Sequence, residues 1–402
     1  MRVIQVAALA ACLTVTSVEA QAPRQLTREA AIAAALQRGG RLRRAYADTA
    51  AAFARLRVAR ALENPAVTAE YTKSAPQYHL TLDLPVDYPW LRRTRIAAAE
   101  ASRDAAKYRY AFERAAVALD ADTTYTRAVA AREKLRLSRR NAIAADSLRR
   151  IAVARRDAGD ASDLDVELAT ISAGQQANAT ASDSLTLVST LLDLQTVIGM
   201  SAQDADVAAV DSLTGPAAPA PAASGQLLPI TVAEAELRSA TLGLRLQRRS
   251  LFSATTVTGG FETHDPSGDE KGILPVFGFS IPFPLFNRNS AQIAVAQAEE
   301  ARARAERDIA ELEAHAALAR AERERAIALA NVARDETLIA SANRVAALSL
   351  TAYREGAAPL ATAIEAQRNA REILAQYIDD LAAARIATAA LRVRTLTVSS
   401  RP

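Results

Sequence analysis

Moving this chain along itself by 197 positions superimposes its punctuation: Pro85 falls on Pro282, Ile96 on Ile293, Gly159 on Gly356 and Ala169 on Ala366. An offset that holds over such a span marks a tandem duplication, in which one supersecondary unit is used twice. The two units read as residues 25–210 and 229–397, joined at 211–228 by a linker rich in Pro, Ala, Gly and Ser. Neither Gly nor Pro interrupts Leu91–Ala158 or Arg288–Glu355. At about 1.5 Å rise per residue, each stretch makes a helix roughly 100 Å long. Helices of compact domains run only three or four turns, so these belong to a coiled coil or a helical tube. Alanines such as Ala97, Ala98, Ala101 and Ala105, or Ala294, Ala296, Ala298 and Ala301, let neighbouring helices approach closely.

Each long helix stops at a glycine, in Arg156-Asp157-Ala158-Gly159-Asp160-Ala161-Ser162 and in Tyr353-Arg354-Glu355-Gly356-Ala357-Ala358-Pro359. Glycine supplies the left-handed conformation that ends a helix, and Ser162 and Pro359 suit the start of the next one. The spacing predicts helices at about 90–158 and 162–197 in the first unit and 288–355 and 359–396 in the second, antiparallel within each unit. Ahead of each long helix lies a strand pair, at about 65–86 and 254–284. Tyr78, Leu80, Leu82 and Leu84 alternate with His79, Thr81 and Asp83; Phe277, Phe279, Ile281 and Phe283 alternate with Gly278, Ser280 and Pro282. One bulky apolar face and one small or polar face give a strand with different solvents on its two sides. The segment before Phe252 reads as a less regular helix.

Ten of the eighteen aromatic residues fall within Glu63–Arg92 and Leu251–Asn287, and Tyr88, Trp90 and Phe286 sit where strands hand over to helices. Aromatic girdles of this kind flank the apolar band of membrane barrels. A soluble two-hairpin sheet is the alternative, but hairpins on a roughly 100 Å shaft have little else to pack against. Lipid offers no partner to an unpaired strand edge, so only closed barrels span it as β structure, starting at about eight strands. Four strands do not close. Two copies give eight strands, which side chains fill; three give twelve, which leave a lumen. A trimer is therefore the conducting form.

The ends set the compartment. Arg2, the apolar run Val3–Val18 and the small-residue site Val18-Glu19-Ala20 read as a secretory signal peptide over 1–20, with a buried N-terminal helix as the alternative. Cys12, the only cysteine, lies in Leu9-Ala10-Ala11-Cys12, a box resembling a lipidation site that would anchor the N-terminus to a membrane. Charged residues make up 23% of the chain, with formal net charge +4, but Lys and Arg alternate with Asp and Glu along helices rather than cluster. Solvated helix faces are expected, and no nucleic-acid partner.

On these residues the chain resembles the outer-membrane efflux proteins of the TolC type. The resemblance runs from Gln25 to Leu396 and rests on Leu26-Thr27-Arg28-Glu29-Ala30, on the strand exit Ile281-Pro282-Phe283-Pro284-Leu285-Phe286-Asn287-Arg288-Asn289 and on both glycine tips. Within that family it looks nearest to the CzcC-like and CusC-like members that serve heavy-metal or drug pumps. The family implies a trimeric, twelve-stranded barrel in the outer membrane, four strands per protomer, continued by a long helical tunnel in the periplasm. It also implies a periplasmic adaptor and an inner-membrane pump, here of the RND type, as partners. The second unit departs at Ile230-Thr231-Val232-Ala233-Glu234, and the first has Asp87-Tyr88-Pro89-Trp90 where the second has Pro284-Leu285-Phe286-Asn287.

The site residues that follow concern docking and gating. Arg156, Gly159, Ser162, Arg354, Gly356 and Pro359 are expected to dock the adaptor, with the two arginines contacting it or locking neighbouring protomers. Asp157, Asp160, Asp163, Asp165 and Glu355 crowd the tips, and those facing inward would form an acidic ring attractive to cations. Asp163 and Asp165 equally suit helix capping. His79, His264 and His315 lie on a strand, a loop and a helix, and no spacing reads as a metal site, a cofactor site or a catalytic constellation. An enzyme is not expected. Two other duties remain open on sequence: an exit duct for type I protein secretion, and a periplasmic coiled-coil adaptor or tether. An adaptor would show one helical hairpin inserted in a small β domain, where this chain has two hairpins and two strand pairs.

Overall fold

The computed structural model describes residues 24–201, 206–218, 225–250, 254–264, 266, 272–283, 285–286 and 288–398. The signal-peptide span, Cys12, Phe252, Pro284 and Asn287 lie outside the described residues. The chain runs β1 (Arg24–Leu26), α1 (Arg28–Arg38), α2 (Gly40–Arg60), β2 (Ala66–Tyr71), β3 (Tyr78–Pro85), α3 (Pro89–Asp157) and α4 (Asp163–Val197). It continues through β4 (Val207–Ala209), β5 (Gln226–Leu227), α5 (Leu228–Arg249), β6 (Thr256–Thr263), β7 (Leu274–Ser280), α6 (Ser290–Arg354), α7 (Leu360–Arg394) and β8 (Thr397–Val398). The predicted long and returning helices fall on α3, α4, α6 and α7. Helices α1 and α2 had no counterpart among the predicted elements, and the segment before Phe252 is the regular 22-residue helix α5.

Both hairpins enter one antiparallel sheet of order β2-β3-β6-β7. Beneath it the helices follow the same lateral order, with α2 against α3, α3 against α5 and α5 against α6. Each strand thus continues a helix of the layer below. Further from the sheet, α2 and α5 give way to α4 and α7, which pack on α3 and α6. The molecule is a shaft four helices wide, capped at one end by a four-stranded sheet.

The middle of the shaft is fixed by a compact core. Tyr125, Ala121, Ala128 and Val129 of α3 pack with Leu26, Ala31 and Ala35 from the N-terminal segment, Leu194 and Ile198 at the end of α4, and Val207 and Ala209 of β4. The Tyr125 hydroxyl donates to the Leu26 carbonyl at 2.9 Å and accepts from the Asp211 amide at 3.2 Å. Burial pushes this phenol up to about 12. Arg28 grips Asp122 with both its Nε and a terminal nitrogen, at 2.6 and 2.5 Å. These bonds satisfy polar groups that would otherwise be stranded inside, and they pin β1 beside β4 as a parallel pair.

Candidate functional site

Two ends of the shaft and its two lateral edges carry the candidate chemistry. In β3 the exposure alternates residue by residue: Tyr78, Leu80, Leu82 and Leu84 are exposed, while His79, Thr81, Asp83 and Pro85 are half-buried. The register carries the division across the sheet, placing Val67 beside Leu82, Leu80 beside Phe261, and Leu84 beside Val257, itself opposite Phe279. Phe277 and Phe279 are 85% and 79% exposed. The other face gathers polar groups: Thr258 donates to Asp83, and His79 lies 3.0 Å from Glu262 through Nδ1 and 3.2 Å from the Thr72 hydroxyl through Nε2. A sheet whose apolar face is the exposed one is the reverse of a water-soluble design. Strands β2 and β7 form its edges with no neighbour beyond them among the described residues.

Of the predicted interface aromatics, Tyr88 and Trp90 stack with ring centres 4.5 Å apart at the β3–α3 handover, and the Tyr88 hydroxyl reaches Thr255 at 3.3 Å. Phe286 stands at the corresponding exit of the second hairpin, 97% exposed. At the opposite end of the sheet Tyr71, Tyr78 and His264 form a second aromatic set, with centre separations of 5.3 and 5.5 Å. The cross-strand pairing of Tyr71 with Tyr78 on the exposed face is what marks this second set, and it needs the register to be seen.

The tips follow the helix-stop chemistry. Gly159 and Gly356 have φ of +83° and +76°. The Gly159 amide bonds the Arg156 carbonyl and the Asp160 amide the Arg155 carbonyl; Gly356 and Ala357 do the same to Tyr353 and Ala352. That pair of hydrogen bonds is the Schellman stop. Ser162 caps α4 reciprocally with Asp165: its hydroxyl accepts from the Asp165 amide, and the Asp165 carboxylate accepts from the Ser162 amide. Asp157 pairs with Arg156 at 2.7 Å, and Asp163 lies 3.9 Å from the same arginine. Asp160, Arg354 and Glu355 are exposed, and Pro359 is the N-cap of α7.

What joins the two tips is a residue sequence reasoning passed over. Arg155 donates to the Tyr353 carbonyl and, at 3.2 Å, to that of Asp160, and its guanidinium lies 4.9 Å from the Tyr353 ring centre. Beneath it Leu148, Ala152 and Ala169 pack with Tyr353, Leu360 and Ala363 as one core shared by both hairpins. Burial and the Asp165 charge push the Tyr353 phenol up. Nothing in the sequence separates Arg155 from Arg156; only the rotation of α3 at its last turn does.

Each lateral edge carries an exposed row of apolar residues among polar ones. On α4, Leu164, Ile171, Leu185 and Leu192 lie on one seven-residue repeat and are all exposed, with the exposed Asn178 as its single polar member. On α6, Ile309, Ile327, Leu338 and Val345 are exposed at spacings of seven, eleven or their sum. Such seams wait for a facing helix. No helix among the described residues is long and apolar enough to cross a membrane.

Among solved structures, several outer-membrane channels match this architecture closely. CusC, known from structures of its folding and transmembrane channel formation, is 16% identical, with a TM-score of 0.76 and 92% of each chain covered. The fold is that of the TolC-type outer-membrane channels. The CmeC outer-membrane channel of Campylobacter jejuni matches with a TM-score of 0.79 at 15% identity, over 92% of this chain and 85% of that one. The outer-membrane protein VceC of Vibrio cholerae matches at 0.75 and 16%, over 92% and 95%. No family model and no curated protein matches the sequence. CusC and CmeC are described as channels, and neither is an enzyme.

Proposed function

We propose that three copies of this chain form an outer-membrane channel that passively conducts small substrates, heavy-metal ions or drugs, from an inner-membrane pump of the RND type and a periplasmic adaptor to the exterior. The observation that carries the reading is the sheet with its apolar face outward and both edges unpaired. Three such sheets, edge to edge, satisfy every strand in a twelve-stranded wall whose polar face lines a lumen. The exposed seams of α4 and α6 support the same closure one level down, where an α4 of one copy meets an α6 of the next. In this reading residues 1–20 direct export, Cys12 is a candidate lipid anchor, and the units 25–210 and 229–397 flank the 211–228 linker as products of a duplication. Tyr88, Trp90 and Phe286 mark the periplasmic edge of the lipid.

The tips belong to the adaptor. Arg156, Gly159, Ser162, Arg354, Gly356 and Pro359 form the docking surface, and the acids left free of capping, chiefly Asp160 and Glu355, supply a cation-attracting ring when repeated three times, to which Asp157 and Asp163 add charge and Asp165 adds little. Gly159→Val or Gly356→Val places a β-branched residue in the left-handed region, which disfavours it strongly. Export should be lost while the protein still reaches the outer membrane, and wild-type resistance in those variants sinks the docking role. The channel itself is tested on unheated and heated gels of purified outer membrane. A high-mass band that collapses on heating is expected; a water-soluble monomer in the absence of detergent overturns the reading.

A further inference from the structure

Just below the sheet the ends of three helices converge on one level. Arg92 of α3 donates to the Arg60 carbonyl at 3.1 Å, Arg95 donates to the Ala59 carbonyl at 3.1 Å, and Arg249 of α5 donates to the Thr94 hydroxyl at 2.8 Å. The last turns of α2 and α5 are thereby locked beside the first turn of α3. This level is crowded with guanidinium groups: Arg57, Arg60, Arg93, Arg245, Arg248 and Arg249 are all exposed. Carboxylates nearby are few and mostly engaged. Asp87 is taken by Arg92 and Arg95, and Glu100 by Arg60, leaving Glu63 in the loop after α2. No ion pair reaches Arg57, Arg93, Arg245 or Arg248 among the described residues.

Apolar groups are set among these charges. Val58, Leu62 and Trp90 are 73%, 64% and 55% exposed. Arg93 follows Trp90 by three residues, so the two share a helix face one turn apart. Alternation of indole, aliphatic and guanidinium groups suits a layer that is apolar above and anionic below, since arginine lays its stem on apolar surface and keeps its head among polar groups. A solvated helix face would pair its charges along the helix, as α6 does with Arg302–Glu306 and Arg307–Glu311. Here the excess is of one sign.

We propose that this arginine belt binds the phosphates of anionic phospholipids in the leaflet that faces the shaft. The inference rests on the membrane-channel reading and adds a lipid class to it. Guanidinium groups pair with phosphate in a two-pronged geometry, and each basic residue near an anionic surface adds attraction that salt weakens. The belt thereby fixes the depth of the barrel, because the apolar strands end where the charges begin.

Trp90 is the only tryptophan of the chain, so its fluorescence reports the lipid beside the belt without labelling. The purified protein is reconstituted in vesicles of brominated phosphatidylglycerol or brominated phosphatidylcholine, and quenching gives the relative association of each lipid. Phosphatidylglycerol should be preferred, by on the order of fivefold per engaged arginine at low ionic strength, with the preference falling at high salt. Joint replacement Arg57→Gln, Arg93→Gln and Arg248→Gln should abolish the preference, and the corresponding lysine variants should keep it. Equal quenching by both lipids leaves the membrane reading standing and overturns the belt. Quenching by neither lipid in a trimer that still conducts overturns both the belt and the placing of Trp90 at the lipid. A glutamine variant with altered ion selectivity and unaltered lipid preference overturns the belt by turning the arginines to the lumen.

Discussion

Helices α3 and α6 have nearly the same length, 69 and 65 residues, and stand in equivalent places after the first and second hairpins, yet they are built differently. Helix α3 packs against α1, α2, α4, α5 and α7, and buries large and polar side chains, Leu91, Val117, Asp122, Tyr125, Leu135 and Leu148 among them. Helix α6 touches chiefly α5 and α7. Its buried set is Ala296, Ala303, Ala314, Ala321, Ala328 and Asp335, each seven or eleven residues after the last, with Val332 and Tyr353 the only large apolar additions. A helix inside a protomer is surrounded and needs varied shapes to fill the space; a helix at the rim meets its neighbours in the same protomer along one small-residue seam and keeps its large residues for elsewhere. The contrast says which helix is the enclosed hub and which stands at the rim.

The heaviest blow to that contrast falls on the open seams. Leu185→Glu with Leu192→Glu on α4 puts two charges into a face that has no partner within the protomer, so the folded monomer should be little affected. Assembly should fail outright, read as loss of the high-mass band on unheated gels. A trimer of normal heat resistance would show that the open row of α4 faces water in the assembly and is no seam between copies. Changes at the hub should act on the protomer itself. Tyr125→Ala, which empties the central core, strands the Asp211 amide and leaves the Leu26 carbonyl with only the Val210 amide, should cost about 3–5 kcal/mol of unfolding free energy, measured by denaturant titration in detergent. Ala321→Leu on α6 overpacks a seam that can open, and a smaller loss of about 1–3 kcal/mol is expected. Equal losses from the two would mean α6 is as enclosed as α3.

Much of this was open to reading because long helices and alternating strands are local patterns. The Gly and Pro gaps announced α3 and α6, the glycines at 159 and 356 announced their stops, and the period of two along β3 separated its faces. Helices α1 and α2 escaped because Gly39 and Gly40 interrupt an Ala- and Arg-rich stretch with a weak apolar period, and their burial is decided by distant segments, α3 above all, with the end of α4 and β4 closing over α1. The short pairs β1–β4 and β5–β8 are two or three residues long and join segments far apart in the chain, which no local pattern can foresee. At the tips, sequence found the stops and the Ser162 cap, but Arg155 is distinguished from its neighbours only by facing Tyr353 across two hairpins.

The finest test concerns the one polar break in the alanine seam. Asp335 of α6 and Asp380 of α7 are 7% and 9% exposed, and Gln376 donates to Asp380 at 3.1 Å, so the two buried carboxyls face each other with one proton to share between them. Around them stand Arg334 and Glu336 on α6, Tyr377 and Asp379 on α7, and Lys134 of α3, which is held by Asp379. Burial, followed by the hydrogen bond and charge of Asp380, pushes the Asp335 carboxyl above its ordinary value. The folded protein therefore keeps a proton that the unfolded chain gives up. Stability from this site is full below the ordinary aspartate range, is lost as pH rises from there through the raised value, and is constant beyond. Thermal unfolding of the purified protein across that window should show the decline, and Asp335→Asn, which keeps the shape and a donor but cannot ionise, should flatten it and raise the melting temperature at neutral pH. An unchanged slope in the variant would mean that the two acids do not share a proton, and that the seam of α6 tolerates charge as readily as the crowded faces of α3, where Asp122 is held by Arg28.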